Sequence, residues 1–200
     1  MAALLLATTI NPRPQVFIGV PTWSNTLPLF QHVGLDTVTY PYTDPVTKRP
    51  DLASCLQTIR GAPRGSIFAF QGCCHNPTGA DLTAEQWWIL GRELMVHHHV
   101  AVLDVAYQGL GAGFDEDAVA PRVFCELGLE VLVCQSFSKN FALYGERCGV
   151  LHVLARKVAD AERVQDKLRS LVRSEYSSSP AYGSRLVKLV LDDEYERAKW

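Results

Sequence analysis

Two hundred residues, 48% of them hydrophobic and 20% charged, suffice for one α/β domain around a sizeable apolar core. A formal net charge of −2 leaves no basic stripe for nucleic acid, and no apolar run approaches the roughly 18–20 residues of a membrane span. Six cysteines without a secretory leader point to reduced thiols and a cytosolic setting.

The opening Met1-Ala-Ala-Leu-Leu-Leu-Ala stretch lacks the basic start of a signal peptide. With only Arg13 nearby it is also a poor mitochondrial leader, so a mitochondrial setting would require a longer precursor. Val16–Val20 is strand-like and stops at Pro21, and 25–32 is helical. Residues 37–40 form a second short strand, followed by a helix over 51–60 that Gly61 and Pro63 end. Residues 66–71 are a buried strand. Thr83-Ala-Glu-Gln86 is a capping box, opening a helix that carries Trp87, Leu90 and Leu94 on one side.

Val100–Val105 is almost continuously apolar, as a parallel strand covered on both faces must be. Helix over 117–127, strands over 131–135 and 148–154, and a long amphipathic helix over 159–175 follow. Its clustered Arg163 to Arg173 alternate with acids, a solvated face. The stretch 182–200 is helical to its end, without a Gly, Asn or Pro stop, and the first residues carry no cap. Alternating β and α units of this kind predict an α/β fold, a three-layer α/β/α arrangement on a mostly parallel sheet. Cys73-Cys74-His75 invites a metal reading. Adjacent cysteines leaving a strand should point apart, however, so no metal site is expected.

Ligands of open parallel sheets gather beyond the carboxyl ends of the strands. Trp23, Asn76-Pro-Thr-Gly79, Asp104 with Tyr107, and Ser136 with Lys139 all follow such ends. Singly, each has an ordinary explanation: Asp104 as a turn cap, Trp23 as core, Asn-Pro-Thr-Gly as a turn. Gathered at one crevice, they fit a shared chemistry better than four coincidences.

Pro21-Thr-Trp-Ser-Asn25, Cys74-His-Asn-Pro-Thr-Gly79, Asp104-Val-Ala-Tyr-Gln-Gly109 and Gln135-Ser-Phe-Ser-Lys-Asn140 stand in order along the chain. Together they resemble the successive signatures of aspartate aminotransferases, over about Val16 to Lys199. The resemblance implies fold type I, the cofactor pyridoxal 5′-phosphate and amino-group transfer from L-aspartate to 2-oxoglutarate. Lys139 would hold the cofactor as a Schiff base and then shuttle a proton. Asp104 would pair with the pyridine nitrogen, while Asn76 and Tyr107 would bond the ring oxygen. Trp23 would stack on the ring, and Ser136 and Arg147 would hold the phosphate. Trp23 and Asn76 would also border the substrate. Arg173, in Leu171-Val-Arg-Ser-Glu-Tyr176, would take the substrate's distal carboxylate in the neighbouring subunit's site, which implies a homodimer. Read from the residues alone, Arg173 also fits an exposed cation at a helix end.

The chain departs from that pattern at four places. Thr26 and Gln71 stand where the family usually has histidines, Ala142 where it has glycine, and Ser178-Ser179 where it has Asn-Pro. The glycine-rich phosphate loop expected before Val16 is not supplied by residues 1–15, and the small domain would follow Trp200. The chain therefore reads as a partial, cofactor-binding large domain over residues 1–200 with no complete second domain. A truncated relative that keeps only cofactor binding or dimerisation, and an aromatic amino acid aminotransferase, are the competing readings.

Overall fold

The computed structural model describes all 200 residues, Met1–Trp200. In chain order the elements are α1 (Ala2–Thr9), β1 (Val16–Val20), α2 (Thr26–His32), β2 (Thr37–Pro41), α3 (Leu52–Gly61), β3 (Ile67–Gln71), α4 (Ala84–Val96) and β4 (Val100–Val105). They continue with a 3-10 turn (Glu116–Ala118), α5 (Val119–Glu126), β5 (Val131–Ser136), β6 (Gly149–Leu154), α6 (Val158–Glu175), α7 (Tyr182–Asp192) and α8 (Glu194–Lys199).

The strands form one sheet in the order β2-β1-β3-β4-β5-β6. All neighbours run parallel except the β5–β6 pair, so the predicted mostly parallel sheet is what forms. Helices α3, α4 and α5 cover one face. An aromatic ladder builds that layer. Phe17 and Phe68 are register partners on β1 and β3 and stack at 5.0 Å, Phe68 stacks on Phe70 at 6.1 Å, and Trp87 meets Phe70 and Phe124 edge-on at 5.8 and 5.6 Å. Gly91 is what lets α4 approach α5, since a Cβ there would stand 2.5 Å from the Leu127 side chain. On the opposite face α1, α2 and α6 bury Leu5, Leu6, Phe30 and Leu171 against Val16, Ile18, Val102 and Leu132.

Local chemistry fixes several helix starts. Asp51 accepts the Ser54 N–H at 2.9 Å at the head of α3. At α4 the capping box closes both ways, Gln86 N–H to Thr83 Oγ1 at 3.2 Å and Thr83 N–H to Gln86 Oε1 at 2.9 Å. A cap of this kind is worth about 1 kcal/mol.

Three details differ from the sequence expectations. The first residues are a true helix, buried through Ala2, Leu5, Leu6 and Ala7, which forms by packing and needs no cap. The last strand runs antiparallel to its neighbour. The terminal helical stretch is broken at Asp193, whose carboxylate turns back to accept the Tyr195 and Glu196 N–H groups at 2.9 and 3.0 Å. No helix is long and apolar enough to cross a membrane.

Candidate active site

Register brings the site together. Gln71 of β3 lies beside Asp104 of β4, which lies beside Cys134 of β5. Side chains of adjacent parallel strands at one level share a face, so all three look toward the same crevice. There a cavity of about 200 Å³ is lined by Thr22, Trp23, Thr26, Gln71, Asp104 and Cys134, with the start of α1 along one wall. Trp23, 39% exposed, forms part of its outer wall.

Asp104 is recessed in this cavity, and burial pushes its carboxyl above the ordinary carboxylate value, the nearby Lys139 charge working in the opposite sense. No hydrogen bond to the carboxylate contributes. An unpaired carboxylate in a largely apolar pocket is costly unless a cation or N–H donor from elsewhere meets it. The Lys139 ammonium lies 5.0 Å over the Tyr107 ring. Asn76 Nδ2 donates to the Tyr107 hydroxyl oxygen at 3.5 Å, which sets the two side chains together. Asp104 and Trp23 thus line the cavity, while Asn76 and Lys139, linked to each other through Tyr107, lie with it outside the lining, Lys139 close enough for its charge to act on Asp104.

The turns that carry these groups are tied together. Gln71 supplies the main tie: its Oε1 accepts the Asn76 N–H at 2.7 Å while its Nε2 donates to the Asn76 carbonyl at 2.9 Å and to Thr22 Oγ1 at 3.2 Å. One amide therefore satisfies both backbone groups of Asn76 and reaches the loop bearing Trp23. A primary amide does this because it carries donor and acceptor side by side. Thr26 sits 3.4 Å from Thr22 Oγ1, extending the same chain of contacts. On the other side Asn140 Nδ2 donates to the Gln108 carbonyl at 2.9 Å, which fastens the Lys139 turn to the Tyr107 turn.

The remaining expected residues are placed differently. Ser136 ends β5, its Oγ accepting the Ser138 N–H at 3.2 Å and its own proton left to donate. Arg147 is exposed and donates to the Tyr144 carbonyl at 2.7 Å, so its guanidinium lies outside the cavity lining. Arg173 is exposed in the last turn of α6, where it bonds Ser177 and also lies outside the lining. Ala142, in place of the usual glycine, adopts φ +54°, a left-handed conformation costly for alanine.

The cysteine expectation needs correcting. Cys74 takes φ +49°, which breaks strand alternation, and the Cys73 and Cys74 sulfurs fall within 4.8 Å of each other instead of pointing apart. The residue that sequence reading under-rated is Gln71. Its signal was available only as a departure from a family pattern, not as a role.

The whole chain, residues 1–200, matches the family model for aminotransferase class I and II. A relative named aminotransferase tasG, from Hapsidospora irregularis, is 52% identical over 96% of this chain and 59% of its own length. An aromatic-amino-acid aminotransferase of Escherichia coli is 43% identical over 94% of this chain and 48% of its own length. A mitochondrial aspartate aminotransferase of Schizosaccharomyces pombe is 38% identical over 100% of this chain and 46% of its own length. The chain thus spans about half the length of these relatives. Among solved structures, an aromatic-amino-acid aminotransferase from Burkholderia pseudomallei, described as covalently bound to pyridoxal phosphate, superposes with a TM-score of 0.96 at 39% identity, covering 100% of this chain and 50% of that one. The chain belongs to the class I and II aminotransferase family.

Proposed function

We propose that the protein transfers an amino group from L-aspartate to 2-oxoglutarate with pyridoxal phosphate, yielding oxaloacetate and L-glutamate. The observation that carries this reading is Asp104, a recessed carboxylate without a protein donor, lining the same cavity as Trp23 and within electrostatic reach of Lys139. That arrangement fits a flat cationic heterocycle and suits few other ligands. The 200 residues form the cofactor-binding part of the family's large domain, and two copies make the working unit.

When bound, the cofactor supplies an electron sink for the charge left as the substrate's Cα–H bond breaks. The rest is done by the protein. Asp104 accepts a hydrogen bond from the ring N–H and keeps that proton in place. The Asn76 amide, which donates to the Tyr107 hydroxyl, and that hydroxyl would both turn their protons to the ring oxygen. Trp23 offers a flat face and keeps water from one side. Lys139 would be the covalent anchor, and once freed its amine would carry the proton from the substrate α-carbon to the adjoining cofactor carbon, C4′. Ser136 and Arg147 hold the phosphate, the long arginine swinging inward from its exposed position. Arg173 takes the distal carboxylate of a substrate held by a second copy, which favours a dicarboxylate.

A second reading, transfer from an aromatic amino acid, is supported by the 43% identity to the aromatic-amino-acid aminotransferase of Escherichia coli. The deciding experiment supplies the cofactor-loaded protein with 2-oxoglutarate and either L-aspartate or L-phenylalanine, reading the oxo acid formed through a coupled dehydrogenase. Oxaloacetate formed in preference to phenylpyruvate supports the first reading. The opposite preference supports the second, and neither product overturns both.

A further inference from the structure

The turn after β3 carries chemistry that amino-group transfer does not use. Cys73 Sγ, Cys74 Sγ and a carboxylate oxygen of Asp117 lie within 4.8 Å of one another. Cys73 and Asp117 are buried. The Asp117 carboxylate is aimed inward by the backbone of the Gly109–Ala112 loop. Its Oδ2 accepts the Gly109 and Gly111 N–H groups at 2.8 and 2.9 Å, and its Oδ1 accepts only that of Ala112, at 2.9 Å. Oδ1 therefore keeps a lone pair free.

Gly111 borders both the Asp117 carboxylate and the Cys74 thiol. A Cβ built there would stand 2.7 Å from Asp117 Oδ1 and 2.8 Å from Cys74 Sγ. Glycine at this position therefore leaves the carboxylate oxygen and the sulfur free to crowd against the loop from the same side. Zinc bonds sulfur at about 2.3 Å and oxygen at about 2.0–2.2 Å, and three ligand atoms already within 4.8 Å of one another need only side-chain adjustment to meet on one ion. The surroundings are electronegative. The Asp81 carboxylate accepts the Cys74 and His75 N–H groups at 2.7 and 2.8 Å.

We infer that Cys73, Cys74 and Asp117 form a binding site for a thiophilic divalent cation of the zinc class, with a water completing a tetrahedron. On binding, each thiol releases its proton to solvent, two metal–sulfur bonds and one metal–oxygen bond form, and no atom changes oxidation state. The cation would clamp the turn leading to Asn76 onto the loop leaving Tyr107, whose carbonyl already lies 4.0 Å from Cys74 Sγ. The site is separate from the proposed cofactor chemistry and stands or falls without it.

The test is a Cd²⁺ titration of metal-stripped protein in a phosphine reductant, read by the ultraviolet thiolate-to-cadmium band. One equivalent should bind per chain. The band should vanish in the Cys73→Ser/Cys74→Ser double variant, and Gly111→Ala, whose methyl group would push the Asp117 carboxylate and the Cys74 thiol apart, should weaken binding by about tenfold or more. Absence of a one-to-one band, or its persistence in the double variant, overturns the site. Should that variant fail to fold by circular dichroism, alkylation of the unaltered protein decides. Cd²⁺ must then protect Cys73 and Cys74 but not Cys55, Cys125, Cys134 or Cys148, and equal protection of all six overturns the site.

Discussion

The two ends of the candidate site are built on different principles. At the carboxylate end, β3 and β4 set Gln71 beside Asp104, and one amide locks both backbone groups of Asn76. At the lysine end, residues 137–148 pass through turns, Ala142 and Arg147 sit at positive φ, and the Arg147 guanidinium faces solvent. On the proposed function the contrast follows from what each end would do. A carboxylate that is to hold a proton on a ring nitrogen needs to be fixed in a low dielectric beforehand. A group that is to grip a phosphate needs reach and donors, which a long arginine on a turn would supply after the ligand arrives.

If the carboxylate end is the preset one, Asp104→Asn should produce the largest loss. Removing the charge that keeps the ring nitrogen protonated should cost about 3 kcal/mol in turnover, roughly a hundredfold, with the fold intact by circular dichroism. Turnover near the parent rate would reduce Asp104 to a turn cap. Gln71→Met sharpens the comparison through stability instead of turnover. It leaves the Asn76 N–H and carbonyl without partners, at about 1–3 kcal/mol in urea unfolding. Arg147→Met at the exposed end should stay within about 0.5 kcal/mol of the parent. Equal losses at the two positions would erase the distinction drawn here.

A pH experiment probes the same turn. Burial lowers the His75 pKa from 6.5 to about 4, and the ring stacks on Tyr42 at 4.0 Å. The unfolded chain takes up a proton near pH 6.5, whereas the folded one does so only at about pH 4. Between those values the unfolded state binds more protons, so stability falls as the pH is lowered through this window. His75→Gln should flatten that slope in urea titrations run at successive pH values. A gain instead of a loss is expected from one change at the lysine end. Ala142→Gly relieves a left-handed alanine and should raise stability by up to about 1 kcal/mol, reduced by the extra freedom glycine gives the unfolded chain.

Much of the architecture was legible because its physics is local or periodic. The unbroken apolar run at Val100–Val105 demands a strand covered on both faces, and Thr83 with Gln86 writes the start of α4 directly. The placement of Asp104, Asn76, Tyr107 and Lys139 at or beyond strand ends was legible too, because the strands that precede them were. Tertiary choices were not. Helix α1 is apolar on every side and uncapped, so it shows no helical stripe, and only packing declares it a helix. The antiparallel sense of β6 leaves no mark in its composition. Convergence of the Cys73 and Cys74 sulfurs depends on one left-handed residue, and the Gln71 clamp on a loop folding back five residues later. Arg147 and Arg173 show a further gap, because a sequence names a long side chain without fixing where its end rests.

The central claim is that Lys139 is the cofactor's covalent anchor, brought to Asp104 by the sheet's register. Purified protein incubated with pyridoxal phosphate, reduced with borohydride and digested should carry one pyridoxyl group, on the peptide containing Lys139. A group found instead on Lys157 or Lys167, or spread over all the lysines, would contradict it.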